Sequence, residues 1–396
     1  MAQGKQFNSS YFKRLLKYCD TEQNKKYVEF LIENNSFNEC SKHFGVADST
    51  VGRSIKRLDH IATKMGDSHV IKYEAPAGFS IDRVSTFVDD EGKVSRQWVI
   101  ANRDKEDKYN AMLEAWTDVC ESMPKATLTA EPIINSNASL LCDYTIGDNH
   151  TGLYAWAKEA GDDWNLDSSV GILKNAMNHL VYHAPDAHTA FILDVGDFFH
   201  SDNMDNETRR SGNKLDVDTR WAKVLSAGIE CLCYLIDLAL QKHKKVIYRS
   251  VIGNHNEHSA IMINIAIKLR YSNEPRVEVL DNPSMFNYYQ FGINLLADTH
   301  GHTIKADNLP LLMATDVPQM WSETTNRIWR TGHVHHLSQK QYSGCTVITY
   351  RTLAPKDAWH SSMGYRSNRE MRCTVYHKDR GTVGINIVNP TMLGYV

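Results

Sequence analysis

Short apolar runs that stop at a polar turn recur through the second half of this chain: LLCDYTI at 140–146, AFILDV at 190–195, KVIYRSVI at 245–252 and INLLAD at 293–298. Runs of this length, rich in branched and aromatic residues, predict buried strands. The longer stretch IECLCYLIDLAL at 229–240 predicts a core helix between two of them. Strands alternating with helices indicate an α/β fold. Three further strand-like pieces, CTVITYRTL, REMRCTVYHK and GTVGINIV, lie towards the C-terminal end.

The front of the chain has a different period. Residues 24–65 predict three helices: Tyr27, Phe30 and Leu31 repeat at helical spacing, and Asn34-Asn35-Ser36 breaks the pattern. FNECSKHFG predicts a short helix ending at Gly45. Asp48 or Ser49 can cap the next helix, which places Val51, Ile55, Leu58 and Ile61 on one face. Alternating stretches HVIKYEA, FSIDRVSTFVD and SRQWVIA then predict a wing or small β module, and YNAMLEAWTDVCESM an amphipathic helix ended by Pro124. The expected division is 1–68, 69–123, a linker at 124–137, and a main domain at 138–396.

At 396 residues the chain can hold two or more domains. Its net charge of −3 gives no global pull towards nucleic acid, so any such affinity must come from local basic patches. The eight cysteines are scattered and form no CxxC pair, which fits reduced thiols and a cytoplasmic setting. The polar start MAQGKQFNSS predicts no signal peptide, and no apolar run reaches the length of a membrane span.

Five polar signatures carry the chemistry: GDNH at 147–150, GDFFH at 196–200, GNHN at 253–256, THGH at 299–302 and GHVHH at 332–336. Four of them follow the apolar runs above, and the ends of buried strands are where open α/β sheets place their ligand sites. Carboxylate and amide oxygens mixed with imidazoles suit manganese, iron or zinc better than calcium. Stray histidines such as His179, His183 and His188 are expected in a chain with 18 of them.

Over roughly residues 138–345 the signatures resemble the calcineurin-like metallophosphoesterase superfamily, whose ordered pattern is DxH, GDxx(D/H/N), GNH(D/E), a lone His and GHxH. The resemblance implies a two-sheet α/β sandwich, whose second sheet receives the strands after the last signature, and two divalent ions, manganese first and iron or zinc as alternatives. It implies that Asp148, His150 and His335 hold one ion, that Asn254, His300 and His333 hold the other, and that Asp197 bridges them. His255 would face the phosphate and assist the leaving group. Two such ions about 3.5–4 Å apart can activate a water for in-line attack.

His200, three residues after Asp197, resembles the double-strand-break repair nucleases of the superfamily, in which this His acts in phosphodiester cleavage. Asn256 stands where the family has an acid that orients the catalytic His, with Glu257 as its candidate substitute. Arg209, Arg210, Lys214 and Arg220, on the polar stretch 201–220, are candidates to meet phosphates. Asp298, His302 and His336 are candidates to orient the ligands. WHSSMGYRSNRE at 359–370 is aromatic and basic, and either borders the substrate groove or forms a surface loop. No capping domain or helical anchor for an ATPase partner is found, so such a partner is not expected.

The helices of 24–65 resemble the helix-turn-helix DNA-binding family, and the resemblance implies that Ser49, Thr50, Arg53, Lys56 and Arg57 face DNA. A small helical bundle that binds other proteins stays open beside it. The expected protein is thus a metal-dependent DNA nuclease, a helix-turn-helix module (winged or not) followed by a dinuclear α/β sandwich. It resembles products of bacterial or phage genomes and is expected in the cytoplasm of such a cell. A small-molecule phosphatase or cyclic-nucleotide phosphodiesterase is the alternative enzyme. A DNA-binding protein with a structural metal site is the alternative without catalysis. A homo-oligomer stays open.

Overall fold

The computed structural model describes residues 9–65, 79–88, 94–103, 105–127, 132, 136–208 and 212–395. The chain divides into two compact units, Met1–Ala111 and Met112–Val396.

The first unit opens with α1 (Ser9–Leu15), α2 (Glu22–Asn34), α3 (Phe37–Phe44) and α4 (Asp48–Lys64). Thr21 and Ser36 accept hydrogen bonds from the first-turn amides of α2 and α3, which starts each helix. Asn35 and Gly45 end them in the left-handed region. Helix α4 begins at Asp48 itself, so Asp48 does not stand before the helix, and its carboxylate accepts from Ser41 Oγ. Val51, Ile55 and Leu58 are buried against Phe12, Leu15, Val28 and Leu31. Helix α1, which the sequence pattern does not announce, thus supplies much of this core. Strands β1 (Phe79–Val88) and β2 (Val94–Arg103) pair antiparallel, in the place expected for a wing or small β module. The expected stretch HVIKYEA at 69–75 lies outside the described residues.

Helix α5 (Lys105–Ser122) crosses the boundary between the units. The second unit then runs β3 (Asn137–Ile146), α6 (Ala157–Ala160), α7 (Leu166–His183), β4 (Ala187–Asp194), α8 (Trp221–Leu240), β5 (Lys245–Ser250), α9 (Glu257–Arg270) and β6 (Val277–Val279). It continues with β7 (Asn287–Phe291), β8 (Asn294–Asp298), α10 (Leu309–Asp316), α11 (Pro318–Glu323), β9 (Asn326–Thr331), β10 (Ser338–Tyr342) and β11 (Cys345–Thr349). It closes with α12 (Ala358–Ser362), β12 (Met371–His377) and β13 (Gly381–Val388). One sheet has the order β13-β12-β3-β4-β5-β6, the other β10-β11-β9-β8-β7. Strands β3 to β6 are parallel, as is the β8-β9-β11 run of the second sheet.

The two sheets meet face to face over Leu141, Phe191, Leu193, Ile247, Leu296 and Ile328, a two-sheet α/β sandwich. Helices α7, α8 and α9 cover the outer face of the first sheet, and α10 and α11 that of the second. Each such fully buried large side chain contributes about 1.5–3 kcal/mol. A buried charge cluster also joins the sheets: Arg330 of β9 reaches Asp143 of β3 at 2.7 Å and Asp298 of β8 at 2.6 Å, and Arg249 of β5 also binds Asp298.

Two expectations change. The segments after the last signature do not all enter the second sheet: β12 pairs antiparallel with β3, which gives that otherwise open strand edge a partner, and β13 follows it. The second unit also starts earlier than the composition suggests. Trp116 packs in its core, and Ala126, in the expected linker, donates to the Arg270 carbonyl at 2.9 Å. Among the described residues no helix is long and apolar enough to cross a membrane.

Candidate dinuclear metal site

All five signatures lie at strand ends, after β3, β4, β5, β8 and β9. Each chain must turn sharply there, and the backbone records it. Among the described residues seven non-glycines have positive φ, and five are Asp148 (33°), His150 (46°), Asp197 (55°), His333 (72°) and His335 (54°). Such conformations cost on the order of 1 kcal/mol each for an L-residue, and they persist where the surroundings fix them. The signature glycines answer to space. A Cβ on Gly253 would overlap Asp197, and one on Gly332 would meet Asp148 Oδ2 at 2.5 Å.

These turns bring the predicted ligands together in two groups. Ligand atoms of Asp148, His150 and His335 lie within 4.8 Å of one another, as do those of Asp197, His300 and His333. Asn254 joins the second group, its Oδ1 3.1 Å from His300 Nε2. His300 Nε2 is 2.9 Å from Asp197 Oδ2 and 3.9 Å from Asp148 Oδ1, which links the groups. A third group, His150, His200 and His255, flanks the first: His200 Nδ1 is 3.2 Å from His150 Nδ1, and the His200 and His255 rings stack at 5.4 Å. Asp148, His150, Asp197, His200 and His300 are buried, while Asn254, His255, His333 and His335 line the opening.

Hydrogen bonds set the rings. His300 Nδ1 donates to the Val195 carbonyl at 2.9 Å, which turns Nε2 towards the carboxylates. His255 Nδ1 donates to the His200 carbonyl at 2.9 Å. That carbonyl orients His255. The Asn256 side chain has another task, accepting from the Asp197 and Gly253 amides at 3.1 Å, and Glu257 opens α9.

Burial opposes charge on His300, but Asp197 and Asp148 outweigh it and raise its pKa to about 9. Burial also opposes charge on Asp197, and His300 and its neighbours overcome this to hold the carboxyl well below its usual range. Burial and the nearby Asp197 push Asp148 up to about 7, although His300 pulls the other way. Burial, reinforced by neighbouring imidazoles, lowers His200 and His335 to about 3 and His150 well below its usual value. Those three rings are therefore neutral near pH 7, the form a metal requires. Asp148 Oδ2, wholly buried, has no hydrogen-bond partner on the protein. The donor set, with an orphaned carboxylate oxygen at its centre, fits divalent ions.

Several expected residues take other places. Asp298 is committed to Arg249 and Arg330 and does not orient a ligand. His336 bonds the carbonyl of Val334 and is exposed; the ring of His302 sits 5.3 Å from that of His300. Arg209 and Arg210 lie outside the described residues, Lys214 pairs with Glu207, and Arg220 is exposed before α8. In the first unit Ser49, Arg53, Lys56 and Arg57 are exposed on α4 and Thr50 is half-buried. There Arg53 Nε donates to the Ser49 carbonyl and Arg57 pairs with Asp20.

Other contributors escaped the sequence. Asp194 accepts from the Gly196 amide and from Ser250, bracing the turn that carries Asp197. Asp202 accepts from the His258 and Ser259 amides and so fixes α9 beneath the third signature. Thr352 Oγ1 donates to the Asp148 carbonyl at 2.7 Å. His360, held by Asp357, stacks on His335. Their one sequence signal is a polar residue beside a signature, which only Asp194 and Asp202 have.

No family model matches the chain, and no curated protein matches it. Solved structures do. A conserved uncharacterized protein (predicted phosphoesterase) from Streptococcus pneumoniae is 10% identical, with 64% of this chain and 92% of that one covered at a TM-score of 0.28. Vps29 complexed with zinc from Entamoeba histolytica is 12% identical, with 62% and 98% covered at a TM-score of 0.27. Phosphopantetheinyl hydrolase from Mycobacterium tuberculosis is 10% identical, with 58% and 94% covered at 0.26. At such scores these likenesses add nothing to the assignment of the site, which rests on the chain's own residues.

Proposed function

We propose that the chain is a metal-dependent phosphodiesterase that cleaves DNA, with hydrolysis in the second unit and DNA binding in the first. The carrying observation is the convergence of two ligand groups, linked through His300 and the carboxylates of Asp148 and Asp197, at five strand ends. When bound, two divalent ions, manganese foremost, supply an activated water and draw charge from the phosphoryl oxygens. Asp148, His150 and His335 would hold one, and Asn254, His300 and His333 the other, with Asp197 between. His255 keeps Nδ1–H on the His200 carbonyl, which leaves Nε2 to carry a proton to the departing oxygen. His200 packs on both His150 and His255, with ring centroids 5.2 and 5.4 Å away. The exposed Arg53 and Lys56 of α4, a helix that follows α3 across a short turn, support a DNA-holding role of the helix-turn-helix kind.

A small-molecule phosphoesterase is the second reading. It is favoured by the partners that Arg53 and Arg57 already have within the chain. Incubation of linear and circular, single- and double-stranded DNA with manganese separates the two. Cleavage abolished by EDTA is the expected result. Intact DNA beside rapid turnover of bis-p-nitrophenyl phosphate would transfer the assignment to small molecules.

A further inference from the structure

We infer that the segment after the last ligand forms a stacking platform for an unpaired nucleobase next to the scissile phosphate, so that the substrate strand is taken single-stranded at the site. This rests on the phosphodiesterase reading and narrows it. The platform starts at a ligand: the His360 ring stacks on that of His335 at 5.0 Å and 25°. Asp357 Oδ1 accepts from both the amide and Nδ1 of His360, each at 2.7 Å, which locks the ring in place.

Trp359 and Tyr365 extend the aromatic surface outward. Their centroids are 5.8 Å apart at 30°, and the His360 ring lies 4.9 Å from Trp359 and 5.7 Å from Tyr365. Both are open to solvent, at 56% and 51%. Scattered exposed aromatics are ordinary, but a contiguous group that begins at a ligand-site ring is not. Sandwiching a base between these two rings would need twice the roughly 3.4 Å stacking spacing, more than they provide. A base must therefore stack on their outer faces.

Helix α12 is anchored for such a load: it packs on α6, where Ser361 Oγ donates to the Glu159 carbonyl at 3.0 Å. Arg366, exposed beside Tyr365, adds positive charge for a neighbouring phosphate. Aromatic faces that accept any base, next to a cation, are the means by which single strands are held, and a base inside a duplex cannot reach them.

The test compares two labelled single strands of equal length, one with bases and one wholly abasic, by fluorescence anisotropy against the full chain in EDTA. The wild type is expected to bind the base-carrying strand on the order of tenfold more tightly. Trp359→Ala with Tyr365→Ala should erase that preference, while Trp359→Phe keeps most of it. Equal binding of the two strands, no binding, or a preference that survives the double substitution would overturn the platform. Turnover of bis-p-nitrophenyl phosphate by the unsubstituted chain, which needs no base, reports separately on the hydrolytic reading.

Discussion

In the strand-end turns of the second unit, five proposed ligands sit in left-handed backbone, and Asp148, Asp197 and His300 are wholly or almost wholly buried. On α4 of the first unit, Ser49, Arg53, Lys56 and Arg57 lie in ordinary helix and face solvent. The turns are over-determined: each ligand is fixed by neighbours that a substitution would disturb. The helix commits its buried face to the core, while on its polar face Arg53 bonds the Ser49 carbonyl of the same helix and Arg57 pairs with Asp20 at the surface. A strained, buried polar constellation points to chemistry far more strongly than an exposed basic one. The strained turns carry the catalytic half of the proposal, and the exposed face of α4 the DNA-binding half.

Substitutions should separate the halves by size of effect. His255→Ala is expected to lower kcat on the order of 10²–10⁴-fold with bound metal unchanged, read by steady-state kinetics and metal analysis. Loss of metal instead would make His255 a ligand and redraw the site. Arg330→Met leaves Asp143 and Asp298 short of their partner in the sheet interface and should destabilise the second unit by about 3–5 kcal/mol in urea unfolding. A silent substitution would mean that the buried cluster does not join the sheets. Arg53→Glu with Lys56→Glu should weaken DNA binding and reduce the log–log salt slope by about 0.9 for each phosphate left unneutralised. Turnover of bis-p-nitrophenyl phosphate should not change. An unaltered slope would remove α4 from the interface.

The smallest effect is on pH. Without metal, His300 is raised to about 9 and Asp148 to about 7, so at these two groups the folded protein holds more protons than the unfolded chain as pH rises from 7 to 9. Their stabilisation is complete only below the unfolded values, roughly 6.5 for His and 3.9 for Asp, and is lost as pH rises through 7 and then 9. The Tm of protein stripped of metal should fall over that window. The Tm gained on adding manganese should grow, since binding must displace the His300 proton. A Tm that rises with pH would contradict the assigned pairing of His300 with Asp197.

The sandwich and the strand-end positions of the proposed ligands are legible because strand and signature are adjacent in sequence: AFILDV runs straight into GDFFH, so local pattern alone places Asp197 at a strand end. Strand β9 is not legible. Its sequence NRIWRT includes Arg330, which looks solvated until Asp143 and Asp298, far away in the chain, enclose it. The orientation of His255 is hidden for the same reason, since a backbone carbonyl 55 positions away does the work that an adjacent acid was expected to do. His360 reaches His335 only because the chain after β11 folds back over the opening, which no local period encodes.

The most direct measurement is metal stoichiometry beside hydrolysis, on the wild type and Asp197→Ala. Two manganese ions per chain with turnover of bis-p-nitrophenyl phosphate that follows the second ion is the predicted result. In Asp197→Ala, affinity should fall by more than the roughly 10–100-fold that changes beyond the ligands cause, with turnover lost alongside it. One ion per chain, or full turnover in the variant, would contradict a dinuclear hydrolytic site bridged by Asp197.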